Sequence, residues 1–296
     1  MRKSMALQQE LGPVFDITFD CEDGAAAGDE AAHAALIADL LNSEDNRFGR
    51  IGVRVHDVDS SHFESDVAIL CRSAAKRIAY LVIPKVSGAA QVSRALQVIN
   101  RHARDNGRIN LPAHVLIETH QALAEVRAIA ALPQVECLSF GVMDFVSAHY
   151  GAIPSSAMLS PGQFTHPLVT RAKLEIAAAC HAHGKVASHN VTTEIRDTTV
   201  VAGDAARARN EFGFTRMWSI HPGQIQPIVA ALSPSHEEVQ ASVQILHAAT
   251  LANWGPIQHE GKLHDRASYR YYWTVLQRAK FGNFPMPEQA QALLQA

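Results

Sequence analysis

The stretch from Ala113 to Phe145 constrains this chain most. It opens with an apolar run ending in an acid, His114-Val115-Leu116-Ile117-Glu118-Thr119, and closes with Leu138-Ser139-Phe140-Gly141-Val142-Met143-Asp144-Phe145. Short apolar runs without helical spacing suit strands buried on both faces. Between them Gln121 to Leu132 reads as a helix stopped by Pro133, so the unit is strand, helix, parallel strand. Both strands then open on one face, where Glu118 and Asp144 should meet. Two unpaired carboxylates in a shared pocket repel unless a cation sits between them. The stretch therefore predicts a divalent metal held by Glu118 and Asp144.

The same alternation runs through the chain. Strands are expected at 14–19, 51–55, 78–84, 114–118, 138–143, 185–190 and 214–220, with helices between them and Gly or Pro at their stops. That repetition argues for a (β/α) barrel. A closed barrel of this kind needs eight strands. Residues 1–11 read as a helix ended by Gly12-Pro13, so the first strand is expected to be missing or displaced. We expect a catalytic barrel domain over 1–232 and a helical segment over 233–296. The connection from Ser147 to Pro167, rich in Gly, Pro, Ser and His, shows no regular pattern and is expected over the mouth of the site.

Strand ends carry the other candidates. Asp20, Glu22 and Asp23 crowd the end of the first run and must face solvent, a metal-bound water or a basic partner; the alternative is that they cap the helix beginning near Asp29. Arg54, among apolar residues and two before His56, needs a carboxylate or phosphate partner. Substrate contact is the preferred reading, and an ion pair with one of the acids at 20–23 is the alternative. Lys85 closes an apolar strand. It could be a Schiff-base nucleophile, but acids around it would raise its pKa, which favours a fixed positive charge. His189 and His221 stand at later strand ends, and His181 and His183 read as surface residues.

The balance of 26 basic against 29 acidic side chains, net charge -3 and without a basic block, makes nucleic acid an unexpected partner. Cys21, Cys71, Cys137 and Cys180 are scattered, which fits small core residues in a reducing compartment rather than a zinc or disulfide framework. With neither a signal-peptide hydrophobic region nor an apolar run able to cross a bilayer, the chain reads as cytoplasmic, with no membrane partner.

Taken together, Asp20-Cys21-Glu22-Asp23, Gly52-Val53-Arg54-Val55, Ile83-Pro84-Lys85-Val86, Ile117-Glu118-Thr119, Phe140-Gly141 with Asp144, and Ile220-His221-Pro222 with Gln224 resemble the HpcH/HpaI aldolase and citrate lyase β-chain-like family, which includes malyl-CoA and citramalyl-CoA lyases. The likeness runs over roughly residues 12 to 280. It implies an α/β fold of TIM type, a (β/α)8 barrel, assembled as a homo-oligomer, a trimer or hexamer. It also implies Mg2+ on Glu118 and Asp144, Arg54 on the substrate's carbonyl or carboxylate, and small-molecule substrates, an acyl-CoA and a 2-oxo acid. An oxygen-only ligand set suits Mg2+ or Mn2+ better than zinc. A C-terminal helical lid is implied over a neighbouring subunit's site, carrying an acid–base aspartate. Gly261-Lys262-Leu263-His264-Asp265 matches that segment, and Asp265 is its candidate; an N-cap on the following helix is the alternative. We carry Arg54, Asp265 and Lys85 as catalytic candidates, and Asp20, Glu22, Asp23, Arg54 and His221 as substrate-binding ones. Arg47, Arg50 and Lys85 are the basic side chains considered for coenzyme A.

The family pattern commonly has Leu where Cys21 stands and Asn where His56 stands. The expected activity is Mg2+-dependent cleavage or formation of a carbon–carbon bond in a 3-hydroxyacyl-CoA. A CoA-free pyruvate aldolase and a non-catalytic homologue are the other readings.

Overall fold

In a computed structural model, residues 1–25 and 28–294 are described. They form two compact units, Met1–Ile228 and Val229–Ala296. No helix among the described residues is long and apolar enough to cross a membrane.

The first unit opens with α1 (Arg2–Leu11), and then strands and helices alternate: β1 (Ile17–Asp20), α2 (Glu30–Asn42), β2 (Ile51–Arg54), α3 (Phe63–Ala74), β3 (Leu81–Ile83), α4 (Ala89–Asp105) and β4 (Ala113–Ile117). Two short helices, α5 (His120–Ala124) and α6 (Val126–Ala130), lead to β5 (Val135–Phe140). After it come α7 (Val142–Ser147), α8 (Pro167–Ala182), β6 (Val186–His189), α9 (Thr198–Phe212), β7 (Arg216–Met217) and α10 (Ile225–Leu232), within which the division after Ile228 falls. All seven strands are parallel and pair in chain order.

Alternation along each strand sorts side chains to two faces. Ile17, Phe19, Ile51, Val53, Leu81, Ile83, Val115 and Ile117 belong to one large apolar core shared with the helices. The other face is mixed. Tyr80, Val82 and Leu116 form a small separate cluster there with Trp218 against it, and the strand register sets Asp20 beside Arg54, Arg54 beside Val82 and Val82 beside His114.

The sheet curls until its two edges meet through side chains. Arg216 of β7 donates to Asp16, just before β1, at 2.6 Å, and to the Tyr80 hydroxyl at 3.0 Å. Tyr80 also bonds Thr18 on β1 (2.9 Å) and stacks on His114 (centroids 3.8 Å apart). Its ring lies where a Cβ on Gly52 would be, so only glycine fits at that point of β2. Among the described residues this sheet has seven strands rather than eight, and Arg216–Asp16 is an ion pair between its edges.

Several expected boundaries move: the first strand, expected at 14–19, spans Ile17–Asp20, the third, expected at 78–84, spans Leu81–Ile83, and the seventh, expected at 214–220, is only Arg216–Met217. The fifth strand, expected at 138–143, spans Val135–Phe140, because the chain re-enters the sheet two residues after Pro133, and Val142 and Phe145, three apart, bury one face of a helical turn. The expected helix 121–132 is divided at Glu125, the C-cap of one short helix and N-cap of the next, whose carboxylate accepts the Ala89 amide of α4 (2.8 Å).

The second unit contains α11 (His236–Leu251), the hairpin β8 (Ile257–His259) and β9 (Lys262–His264), α12 (Arg266–Phe281) and α13 (Glu288–Leu293). Val239, Val243, Leu246, Tyr269, Val275 and Leu276 are among its own core residues.

Candidate active site

The carboxyl-terminal ends of β1 to β5 bring most of the predicted residues to one face. Arg54, at the end of β2, points its Nε and one terminal nitrogen at the two oxygens of Asp20 (2.7 and 2.6 Å), and its other terminal nitrogen at Glu22 (3.0 Å). Lys85 ion-pairs with Glu22 and, at 3.0 Å, with Asp23. Glu22 thus bridges the two cations, and all three acids are engaged. The ion pair that the sequence left as the alternative for Arg54 is formed; its remaining N–H bonds are what a substrate could use.

The electrostatics follow from this packing. Burial alone would raise the Asp20 carboxyl, but Arg54 and two backbone N–H groups, those of Glu22 and Gly24, outweigh it and hold the carboxyl low. Burial works against the charge on Lys85, yet Glu22 and Asp23 keep its pKa above the ordinary lysine value. A Schiff-base lysine needs the opposite shift. Lys85 is built as a fixed positive charge.

Lys85 also orients Glu118 through its backbone. It holds φ at 49°, in the left-handed region that side chains rarely occupy, and its N–H reaches Glu118 Oε1 at 2.6 Å. Glu118, only 3 % exposed, is pushed by burial up to about 7, with the Asp144 and Glu22 charges adding to the rise against that N–H bond and Arg54. A Cβ at Gly141 would overlap the Glu118 carboxylate, so the start of α7 can approach only because residue 141 has no side chain. Asp144, expected at a strand end, sits instead in the first turn of α7, half-buried.

Glu118 Oε2 and both Asp144 oxygens accept no hydrogen bond from the described residues, while Asp144 still acts electrostatically on Glu118. Among the described residues no three His, Cys, Asp or Glu side chains close into a metal cage. The donor set is therefore two carboxylates with open positions, which is what a magnesium ion sharing its ligands with water and substrate requires. The residues fit that metal.

His221 is exposed, and its Nδ1 accepts the Gly223 N–H at 3.1 Å as the cap of a 3-10 turn. Asp265 lies in the second unit as the N-cap of α12, where its Oδ1 accepts the Ala267 N–H at 2.9 Å. The capping contact foreseen as its alternative is made. Arg50 sits at the amino-terminal end of β2, 3.6 Å from Asp16, with Arg47 three residues before it; the opposite end of the strand carries the acids, so neither lies at the site.

Sequence reasoning missed two groups. Asp66 of α3, 1 % exposed, binds His56 just beyond β2; a lone acid in an amphipathic helix gives no signal of this. A buried cluster holds the connection 147–167: Lys173 donates to Gln163 Oε1 (3.0 Å) and His189 Nε2 (2.7 Å), and Gln163, Thr192 and Ser160 donate to Asp204 (2.9, 2.6 and 2.6 Å). Burial pushes both Lys173 and His189 well below their ordinary values. The connection expected as an irregular cover carries two 3-10 turns and buries Ile153, Ala157 and Phe164.

Residues 9–222 match the model of the HpcH/HpaI aldolase/citrate lyase family. The chain belongs to this family. Over 278 residues it is 28 % identical to an L-malyl-CoA/beta-methylmalyl-CoA lyase of Cereibacter sphaeroides, covering 89 % of this chain and 87 % of that one. A crystal structure of a citrate lyase from Burkholderia xenovorans superimposes with a TM-score of 0.90 at 58 % identity, over 98 % of this chain and 91 % of that one. The Mycobacterium tuberculosis protein CitE, solved with magnesium, acetoacetate and coenzyme A, has a TM-score of 0.72 at 24 % identity, over 93 % and 94 % of the two chains. That last likeness concerns the fold alone.

Proposed function

We propose that this member of the family is a Mg2+-dependent carbon–carbon lyase that cleaves or forms a 3-hydroxyacyl-CoA of the malyl-CoA or citramalyl-CoA kind, on a TIM-type barrel. The observation that carries the reading is buried Glu118 with half-buried Asp144, each with oxygens left free, beside the fixed charges of Arg54 and Lys85. The malyl-CoA lyase relative supports the substrate class.

Magnesium bound by Glu118 and Asp144 would supply Lewis-acid polarisation of the oxygen on the oxo-acid fragment. The protein supplies the rest. Asp20 and Glu22 hold the Arg54 guanidinium flat and charged, so its remaining N–H bonds are aimed before substrate arrives, and a preorganised donor of this kind stabilises developing negative charge without reorganising. Lys85 ion-pairs with Glu22 and fixes Glu118 through its N–H. Asp265, whose Oδ2 is free of the capping bond, moves the proton at the acyl carbon, on a C-terminal helical segment acting as a lid over the site of a neighbouring subunit in a homo-oligomer.

The test is release of acetyl-CoA from malyl-CoA or citramalyl-CoA with Mg2+, with Glu118→Ala and Asp265→Ala run alongside. Turnover lost in both variants is the expected result. A wild-type protein that binds Mg2+, leaves both thioesters intact and condenses pyruvate with an aldehyde would replace this reading with that of a CoA-free aldolase.

A further inference from the structure

The end of β7 sends one large side chain across the inside of the sheet. Arg216 and Trp218, two apart, project to the same face. That face is the mixed inner one: Arg216 reaches Tyr80 and Asp16, and the Trp218 Nε1–H donates to Ser139 Oγ of β5 at 2.9 Å. The indole also packs against the cluster of Tyr80, Val82 and Leu116. Its height follows from the strands it touches. Leu116 and Ser139 are register partners, two residues before Glu118 and Gly141 respectively, and Val82 is the register partner of Arg54. Two residues along a strand span about 7 Å, so the ring lies one layer beneath the Glu118 carboxylate. The layer below the ring is closed by the buried, stacked pair Tyr80 and His114. An aromatic ring that only filled the interior would be closed in like Tyr80, but Trp218 is half-buried, and with stacked rings beneath it its open surface faces the acids. The ring is also held in place. The Trp218 backbone N–H pairs with the His189 carbonyl (3.1 Å), and buried Gln224 accepts the Ile220 N–H (3.0 Å). The groups above it, Asp20, Glu22, Arg54, Lys85, Glu118 and Asp144, are charged, so the indole gives the opening an apolar base.

We infer that Trp218, held by Ser139, is a specificity-determining residue: a floor that limits the room beneath the hydroxyl-bearing carbon and selects a secondary alcohol, of the malyl-CoA kind, over a tertiary one, of the citramalyl-CoA kind. This rests on the lyase reading above and narrows its substrate. The two thioesters differ at that carbon by a methyl in place of a hydrogen, so the oxo acids they release are pyruvate and glyoxylate. The carboxylate and hydroxyl of either substrate find charged partners at the level of Arg54 and the two acids. The remaining small substituent finds none there, and apolar surface is where it is favourably buried. A hydrogen fits above the ring. A methyl meets an indole that Ser139 and the backbone on both sides keep from moving, and one methyl group of misfit is worth about 10- to 200-fold in kcat/KM.

The experiment measures kcat/KM for malyl-CoA and citramalyl-CoA with Mg2+ in wild type, Trp218→Leu and Trp218→Phe. It reads the ratio of the two values, which a general loss of folded protein leaves unmoved. Wild type should favour malyl-CoA by about 10-fold or more, and Trp218→Leu should move the ratio towards citramalyl-CoA by about 10-fold or more, with Trp218→Phe between them. The Phe variant, which keeps a ring in the layer, decides the matter if the Leu variant does not fold. Calorimetric titration of the Mg2+-loaded proteins with pyruvate needs no turnover, and binding should be tighter in the variants than in wild type. A wild type that cleaves both thioesters equally well, or variants whose ratio and pyruvate affinity match wild type, would overturn the inference and leave the lyase reading in place. A wild type inactive on both thioesters overturns the lyase reading and the inference with it.

Discussion

Glu118→Gln should make the metal-free protein more stable at pH 8, although it removes a residue of the proposed active site. Glu118 is raised from the ordinary 4.5 to about 7 by burial, with Asp144 and Glu22 adding to it. A carboxyl whose folded-state pKa lies above its unfolded value favours the folded state while protonated. That contribution is fully present below pH 4.5 and is lost as pH rises through 7. Above 7 the folded protein must hold an ionised, buried carboxylate beside a second acid. A rise of about 2.5 units at 1.36 kcal/mol each corresponds to about 3 kcal/mol at pH 8, and to about 1 kcal/mol at pH 5. Gln keeps an oxygen for the Lys85 N–H and removes the ionisation. At about 2–4 °C per kcal/mol for a unit of this size, the variant's Tm in EDTA should exceed wild type by roughly 6–12 °C at pH 8 and by far less at pH 5. Mg2+ should raise the wild-type Tm with increasing concentration and leave the variant's nearly unmoved, because the proposed site needs both carboxylates. Thermal denaturation in EDTA and in Mg2+ at both pH values is the assay. A variant no more stable than wild type at pH 8, or a difference equal at the two pH values, would refute the argument that Glu118 and Asp144 are held together against their charge.

Arg54→Lys cannot reproduce the three-point grip on Asp20 and Glu22, so kcat should fall by about 100-fold or more, as for loss of one preorganised donor to developing charge; a drop in Tm with kcat/KM retained would show that the ion pair is structural only. Gly141→Ala places a Cβ on the Glu118 carboxylate and should weaken Mg2+ binding by about 10–100-fold, the scale seen when a metal ligand's support is disturbed. Calorimetric titration with Mg2+ measures it, and unchanged affinity would mean that α7 can shift without cost.

The approach of Asp144 to Glu118 is legible in part: strand, helix and Pro stop determine direction and put the ends of β4 and β5 on one face, but Asp144 reaches Glu118 from the first turn of α7 rather than from a strand end. What lay beyond reach depends on contacts between distant elements. The bond from Arg216 to Asp16 joins residues 200 apart, and nothing in the pattern of β7, a two-residue strand that begins with the arginine, announces that the arginine's partner precedes β1. The same holds for Lys173, which reads as a surface residue of an amphipathic helix until Gln163 and His189 close around it. Arg54 is the instructive case between these. Its apolar neighbours imply burial and leave both readings open, but a guanidinium has enough donors to satisfy two carboxylates and still present N–H bonds outward. The two readings were never exclusive: the acids at 20 and 22 fill part of the guanidinium's capacity, and the part they leave open is the part a substrate could use. The acid cluster is better understood as the support of Arg54 and Lys85 than as a set of groups reaching for the substrate themselves, since a substrate carboxylate would be repelled by Asp20, Glu22 and Asp23 and attracted only by the cations they hold.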